Sequence, residues 1–225
     1  MEKFAVIFDV DGLIFDAEAV WKKAFKFACK QHGIVETEKF RQNLCGRKRN
    51  EVVNLLIESH STLNAESFYN VMVGKFADYV KKHGIKLKDE NFEKIVKNLR
   101  KKGFKTAIAT GSTRERLDLL FEKVDMNPSK LFDVIVTCDD VTKGKPNSEI
   151  YDLTVKKLEI PAENCYALED SPNGIKSAHS AGCKPILVVD LIKPNQKIEK
   201  ICYRVFTNLR DAIKSISTNK TTKCQ

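Results

Sequence analysis

The chain has 225 residues, of which 42% are hydrophobic, and Lys plus Arg exceed Asp plus Glu by 39 to 30, a net charge of +9 that favours anionic ligands. No segment approaches the roughly 20 apolar residues needed to cross a bilayer, and the charged N-terminal stretch is unlike a signal peptide, so we expect a cytoplasmic protein with no membrane partner. The seven cysteines form no C-x-x-C pair, which argues against a disulfide framework and a zinc site. The lysines lie on predicted helices without interleaved aromatic residues, which argues against a nucleic-acid partner.

The first predicted element is a strand of five apolar residues, Phe4 to Phe8, which is typical of a strand buried on both faces. Asp9, Asp11 and Gly12 follow directly where this strand ends. Ionised carboxylates resist burial unless a metal or another cation compensates them, so the Asp-x-Asp pattern predicts a functional site. A simple turn is the alternative, because Asp-Gly is a common turn pair.

Residues 17 to 83 show helical periodicity and no convincing strand. One predicted helix ends near His32 and Gly33, a second begins near Asn50, and a third runs from about Ala65 to Lys82. Trp21 has apolar neighbours at helical spacing, so we expect it to pack inside this unit rather than to stack on a substrate. The pattern predicts a compact helical cap.

From Glu90 onward, helical periods alternate with short apolar runs, which indicates a parallel sheet with crossover helices. The predicted strands are Thr106 to Ala109, Val134 to Val136, Cys165 to Leu168, Ile186 to Val189 and Arg204 to Phe206. The predicted helices are residues 91 to 102, Arg114 to Lys123, Ser148 to Leu158, Asn173 to Ser180 and one from about Leu209.

The sequence therefore predicts an α/β protein with an inserted α-helical cap. We assign residues 1–15 and 85–217 to the α/β core, 16–84 to the cap and 218–225 to a frayed tail. The linkers near Phe15 to Glu18 and near His83 to Lys88 would let the cap hinge over the strand ends and shield a reaction from water.

Four strands are followed by polar clusters of different kinds, and in a parallel sheet these clusters share one edge. They are Asp9 with Asp11, Thr110 with Gly111 and Ser112, Lys143 to Pro146, and Glu169 to Ser171. A nucleophile, a fixed positive charge, hydrogen-bond donors and a metal site are the requirements of phosphoryl transfer. The clusters together predict that chemistry.

Each cluster suits one part of the reaction. Asp9 is the candidate nucleophile, and Asp11 the acid that protonates the leaving oxygen and later deprotonates water. Thr110 and Gly111 are candidates for binding phosphate oxygens, and Lys145 supplies positive charge. Side chains of Asp9 and Asp170, with the backbone carbonyl of Asp11, form an all-oxygen ligand set that suits Mg²⁺.

With these motifs in this order, the sequence resembles the haloacid dehalogenase superfamily over nearly its whole length. The matching segments are Asp9-Val10-Asp11-Gly12, Thr110-Gly111-Ser112, Lys145-Pro146 and Leu168-Glu169-Asp170-Ser171-Pro172-Asn173-Gly174. The resemblance implies a Rossmann-like, doubly wound core, a phosphoaspartate intermediate and Mg²⁺. The small helical insertion is similar to the cap of the subgroup that contains β-phosphoglucomutase and phosphoglycolate phosphatase.

The resemblance also assigns residues that chemistry alone does not. It implies that Glu169 binds the metal or its water shell, that Asn173 orients that shell near the phosphate, and that Ser112 belongs to the phosphate-binding motif. Leu44-Cys45-Gly46-Arg47-Lys48-Arg49 is similar to a substrate-facing stretch of the mutase cap, in which the residue matching Arg49 binds a distal phosphate.

The resemblance leaves the reaction open between two outcomes. Ala17 and Trp21 replace the threonine and histidine of the mutase, and Asp16-Ala17-Glu18 is more similar to the hydrolases. We therefore expect a phosphatase of a small phosphorylated metabolite, with a phosphosugar mutase as the alternative and a non-catalytic binding protein as a remote one. The substrate and the oligomeric state are not predicted.

Overall fold

The computed structural model describes residues 3–35, 37–44, 47–190 and 194–222. Its architecture confirms the predicted α/β class, because six strands in this part of the chain form one parallel sheet flanked by helices. The strands are β1 (Phe4–Phe8), β2 (Phe104–Ala109), β3 (Val134–Val136), β4 (Cys165–Glu169), β5 (Lys184–Val188) and β6 (Arg204–Phe206).

The helices fall into a group after β1 and a group that alternates with the later strands. The first group is α1 (Glu18–Gln31), α2 (Glu38–Leu44), α3 (Arg49–Ser59) and α4 (Ala65–His83). The second is α5 (Phe92–Lys101), α6 (Arg114–Glu122), α7 (Pro128–Leu131), α8 (Glu149–Leu158), α9 (Pro172–Ser180), α10 (Gln196–Ile201) and α11 (Leu209–Thr222). Within the described ranges, none of these helices is both long enough and apolar enough to cross a membrane.

The sheet has the order β3-β2-β1-β4-β5-β6, so the chain winds outward from β1 first on one side and then on the other. This is the predicted doubly wound topology. Phe8 at the end of β1 is in register with Leu168 near the end of β4 and with Ile108 in β2. The loops after the three central strands therefore leave the sheet side by side.

Alternating side chains of β1 belong to two separate apolar clusters, one on each face of the sheet. Phe4, Val6 and Phe8 pack in the cluster that includes α5, α6, α11 and the helices after β1. Ala5 and Ile7 pack in the cluster that includes α8. This double burial is the reason for the uninterrupted apolar run of β1.

Helices α1 and α4 form the centre of the predicted cap. The rings of Trp21 and Phe76 stack with centroids 4.0 Å apart, and Phe25 meets Phe68 edge-on at 5.9 Å. Trp21 thus packs between cap helices, as its periodicity predicts. The same aromatic residues belong to the cluster that continues into the core, so cap and core share apolar contacts.

The two linkers lie side by side and pair through their backbones. Phe15 forms an antiparallel bridge with Leu87, the Asp16 amide donates to the Lys86 carbonyl at 2.8 Å, and the Lys88 amide donates to the Ile14 carbonyl at 2.8 Å. Lys88 Nζ also lies 2.8 Å from Asp190 and 3.2 Å from Asp16. The chain thus enters and leaves the helical segment at one place, although the domain division itself stays a prediction.

Three helices and the C-terminal segment differ from the predicted elements. Helices α2, α7 and α10 have no predicted counterpart, since seven residues or fewer carry too little of the helical period to be recognised. Helix α11 continues to Thr222, so residues 218 to 222 of the predicted frayed tail are helical, and residues 223–225 lie outside the described part.

Phe121 on α6 tests the packing beneath the first linker. Its fully buried ring meets Phe15 edge-on at 5.1 Å. We expect Phe121→Ala to lower the free energy of unfolding by about 3–5 kcal/mol, because the deletion leaves a cavity. Phe27→Ala is the matched control, since Phe27 is 36% exposed, and should change it by about 0.5 kcal/mol or less. Urea denaturation measures both, and equal losses would contradict the assignment.

Candidate active site

Asp9 and Lys145 form a buried ion pair at the carboxyl end of the central strand. Lys145 Nζ donates to Asp9 Oδ1 at 2.7 Å and to the Ala109 carbonyl at 2.9 Å. Burial raises the pKa of Asp9 to about 7, Lys145 opposes this shift, and Glu169 adds to it. Burial alone would lower the pKa of Lys145, but the two carboxylates raise it above its usual range, so the lysine is charged. The structure therefore brings a fixed cation to the predicted nucleophile.

Glu169 lies on the other side of Lys145. Its Oε1 accepts hydrogen bonds from Lys145 Nζ and from the Tyr151 hydroxyl, both at 2.6 Å, and its Oε2 lies 3.3 Å from the Ser171 hydroxyl. A Cβ at Gly174 would lie 1.9 Å from the Glu169 carboxyl carbon, so only glycine leaves room for this side chain. The shortest hydrogen bonds of Glu169 are thus those from Lys145 and Tyr151.

Asp170 completes an acidic cluster with Asp9 and Glu169. One carboxylate oxygen of each residue lies within 4.8 Å of the others. Burial, together with the charges of Asp9 and Glu169, raises the pKa of Asp170 well above its usual range. Gly12 has a φ of +85°, and a Cβ there would lie 2.0 Å from Asp170 Oδ2. The glycine of the first motif therefore allows the turn after β1 to approach the fourth motif.

Asp11 is held by one of its two carboxylate oxygens. Oδ2 accepts from the Ser112 hydroxyl at 2.6 Å and from Arg116 Nη2 at 2.8 Å. Oδ1 is buried and has no hydrogen-bond partner among the residues that the structure describes. The predicted acid–base residue thus has one anchored oxygen and one buried oxygen without a partner.

A cavity of about 180 Å³ joins these groups to the helices after β1. Thr110 and Gly111 line its core side with Asp9, Asp11 and Lys145, while Trp21, Phe25, Tyr69 and Met72 contribute apolar or aromatic surface. Arg41 and Arg47 also line it, and Arg41 forms an ion pair with Glu18. The cavity combines a charged floor with a largely apolar wall.

Three predicted binding residues do not line the cavity. Arg49 is at the start of α3, 56% exposed, with Nη2 2.5 Å from Glu66, and it does not line the cavity. The Ser112 hydroxyl is engaged by Asp11 and Arg116 rather than directed at the cavity. Asn173, in the first turn of α9, is half-buried outside the cavity lining. Cys45 and Gly46 of the stretch around Arg49 lie outside the described residues.

Three contributors to the site are absent from the sequence predictions. Arg116 lies in the first turn of α6, four residues after Ser112, and donates to the Ser112 hydroxyl. This spacing is a usable signal. Tyr151, six residues after Lys145, lies on the buried face of α8. Nothing in the local sequence distinguishes it from an ordinary core residue. Arg41 belongs to a helix too short to predict.

The comparisons with known proteins agree with this geometry. The family model for haloacid dehalogenase-like hydrolases matches residues 6–188. A phosphorylated carbohydrates phosphatase from Thermotoga maritima is 30% identical over 183 residues, covering 81% of this chain and 83% of the relative. The resemblance expected from the motifs is therefore confirmed.

Two solved structures share the fold. CbbY from Rhodobacter sphaeroides in complex with phosphate superimposes with a TM-score of 0.78 at 23% identity, covering 92% of this chain and 94% of that chain. A β-phosphoglucomutase from Clostridium difficile gives a TM-score of 0.77 at 20% identity, covering 98% and 99%. At these identities the likeness confirms the Rossmann-like core with its helical insertion and leaves the activity open.

The acidic cluster predicts a stabilising substitution. Asp170→Asn should raise the free energy of unfolding of the metal-free protein by about 0.5–2 kcal/mol. The pKa of Asp170 is raised in the folded state, so the wild-type residue favours folding only below its unfolded pKa of about 3.9 and opposes it increasingly as the pH rises. Urea denaturation at pH 4 and pH 8 should therefore show the gain mainly at pH 8, and a loss of stability at pH 8 would contradict an excess of negative charge in the cluster. Asp118→Asn, an exposed carboxylate, is the control.

Proposed function

The chain belongs to the haloacid dehalogenase-like hydrolase family, and from this membership we propose that it is a Mg²⁺-dependent phosphatase of a small phosphorylated metabolite, such as a sugar phosphate. The observation that carries the proposal is the contact between Lys145 Nζ and Asp9 Oδ1 at the end of the central strand. Asp11, two residues after Asp9, has an Oδ1 without a hydrogen-bond partner among the described residues. A nucleophile and a proton donor thus face one cavity.

In the first step, a carboxylate oxygen of Asp9 forms a bond to phosphorus while the bond from phosphorus to the ester oxygen breaks. Asp11 Oδ1 gives its proton to that leaving oxygen, so the alcohol departs neutral. Thr110 and Gly111 line the cavity beside Asp9, where a hydroxyl and a backbone amide can donate to phosphate oxygens. Lys145 stabilises the ionised Asp9.

In the second step, water attacks the phosphorus of the phosphoaspartate. Asp11, now ionised, takes a proton from that water, and the bond between Asp9 and phosphorus breaks. Inorganic phosphate leaves, and both aspartates return to their starting states. The two steps use one acid–base residue in opposite directions. Asp11 suits this role because its Oδ1 has no hydrogen-bond partner among the described residues.

The residues present fit Mg²⁺. Burial raises the pKa values of Asp9 and Asp170, the neighbouring carboxylates add to the shift, and Lys145 offsets it only in part. A divalent cation at this acidic cluster would favour the ionised forms of both groups. We assign its ligands to the Asp9 and Asp170 side chains and the Asp11 carbonyl, with Glu169 beside them. When bound, the ion neutralises charge on the phosphoryl group.

The size of the cavity supports a small substrate. A volume of about 180 Å³ fits a small metabolite. The Thermotoga maritima relative is named for phosphorylated carbohydrates, which supports a sugar phosphate. We keep the cytoplasmic location as a prediction from the sequence.

Phosphate release tests the proposed function. With a panel of sugar phosphates, phosphoglycolate, nucleoside monophosphates and p-nitrophenyl phosphate, we expect Mg²⁺-dependent release that Asp9→Asn lowers by at least about 10³-fold, because the amide is not a nucleophile. Asp118→Asn should retain full activity.

The same assay separates the alternatives. β-Glucose 1-phosphate is included, and glucose 6-phosphate is measured beside free phosphate. Glucose 6-phosphate with little free phosphate would identify a mutase, and no turnover of any substrate would overturn the enzymatic proposal in favour of a binding protein.

Metal binding has a readout that does not need turnover. Mg²⁺ at millimolar concentration should raise the thermal unfolding temperature of the wild-type protein at pH 8, since a ligand of the folded state stabilises it. Asp170→Asn should abolish most of this increase, and Asp118→Asn should keep it. An unchanged increase in Asp170→Asn would contradict the ligand assignment.

A further inference from the structure

Arg116 contacts the acid–base candidate from the core side. Its Nη2 lies 2.8 Å from Asp11 Oδ2, and its Nε donates to the Ser112 hydroxyl at 2.9 Å. The Ser112 hydroxyl in turn donates to the same Asp11 oxygen at 2.6 Å. The planar guanidinium therefore fixes Oδ2 both directly and through the Ser112 hydroxyl. With Oδ2 held in this way, the carboxylate is oriented with Oδ1 unpartnered.

The same guanidinium contacts the cap. Its central carbon lies 5.0 Å from the ring centroid of Trp21 on α1 and 6.0 Å from that of Phe76 on α4. These two rings stack on each other with an interplanar angle of 20°. The Arg116 side chain is only 18% exposed, so the attraction between cation and ring is not fully screened by water.

We propose that Arg116 is a positioning residue that couples the placement of the cap to the orientation of Asp11; the acid–base role of Asp11 rests on the proposed function. While α1 and α4 lie against α6, Trp21 and Phe76 fix the guanidinium, and the guanidinium fixes Asp11 Oδ2. If the cap moves away about its paired linkers, Arg116 loses its aromatic contacts, and the Ser112 hydroxyl is left as the remaining fixed partner of Asp11 Oδ2. Proton transfer is then efficient only when the cap covers the cavity.

An ordinary surface ion pair does not have this geometry. Arg114 and Asp118 form such a pair on the same helix, four residues apart and about half exposed, and pairs of this kind contribute little to stability. The pair of Arg116 and Asp11 instead joins α6 to the loop after β1. Arg114 and Asp118 therefore provide matched controls.

Fluorescence can measure the coupling without turnover, because Trp21 is the only tryptophan of the chain. Asp11→Ala removes the partner of Arg116, so we expect it to shift the Trp21 emission when Arg116 is present. In the Arg116→Leu background the same substitution should leave the emission unchanged. Asp118→Ala should have no effect in either background.

Two results of the fluorescence cycle would overturn the proposal. One is an Asp11→Ala shift of equal size with and without Arg116, and the other is no shift with Arg116 present. If thermal unfolding shows that Arg116→Leu does not fold, Arg116→Gln takes its place in the cycle, since it keeps the length of the side chain without the charge.

Kinetics test the consequence for catalysis. With p-nitrophenyl phosphate and the preferred substrate of the panel, Arg116→Leu should lower kcat by about 10-fold or more, a part of the 10²–10⁴-fold typical of acid–base catalysis. KM should change by less than about 2-fold. Trp21→Leu should lower kcat less, and it should have no further effect in the Arg116→Leu background. Trp21→Phe, which keeps an aromatic face, should restore part of the loss.

Arg114→Leu is the kinetic control and should match the wild-type protein. Additive effects of Trp21→Leu and Arg116→Leu, or an unchanged kcat in Arg116→Leu, would overturn the coupling while the phosphatase proposal stands. If the wild-type protein releases no phosphate, the proposed function fails, and the fluorescence cycle still decides whether Arg116 joins Trp21 to Asp11.

Discussion

The charge of Lys145 allows this fold to bury carboxylates where its central strands end. Its ammonium group contacts Asp9, Glu169 and a backbone carbonyl at 2.6–2.9 Å, so all three of its protons have acceptors. Removing one partner from a buried pair of this kind typically costs about 3–5 kcal/mol, because the remaining charge is left uncompensated. One lysine still does not balance three acidic residues, and burial together with the neighbouring carboxylates raises the pKa values of Asp9 and Asp170. The site is thus less stable by itself than with a cation.

The topology explains why these groups meet. Because β1 lies between β2 and β4, the loop that carries Asp9 and Asp11 has the loop of Thr110 on one side and that of Asp170 on the other. The close approach then depends on small residues. Gly12 makes room for Asp170, and Gly174 makes room for Glu169, which Tyr151 and Lys145 hold from the opposite side.

Residues whose positions are set by the backbone of the sheet could be predicted from the sequence. Contacts made by long, flexible side chains could not. The strand pattern predicts a parallel sheet, and the residues that follow the strands predict the meeting of Asp9, Thr110, Lys145 and Asp170 at one edge of it. The doubly wound order is what the family resemblance implies. Arg49 was assigned by its place in a motif, yet its flexible side chain pairs with Glu66. For the same reason, the contact of Arg116 with both Asp11 and Trp21 depends on packing that a local pattern does not contain.

The core and the helices after β1 contribute different parts of the cavity. The reacting groups belong to strand ends of the core, whereas the apolar wall and Arg41 belong to helices after β1, so substitutions in the wall should change which compound fits rather than how phosphorus is attacked. Arg116 is the exception to this division, because one guanidinium contacts both the acid–base carboxylate and the cap rings. A cap over the cavity excludes bulk water while Asp9 attacks phosphorus, and a phosphatase must then admit the water that hydrolyses the phosphoaspartate. A proton donor that is oriented only under a closed cap therefore links the timing of the chemistry to the shielding of the cavity.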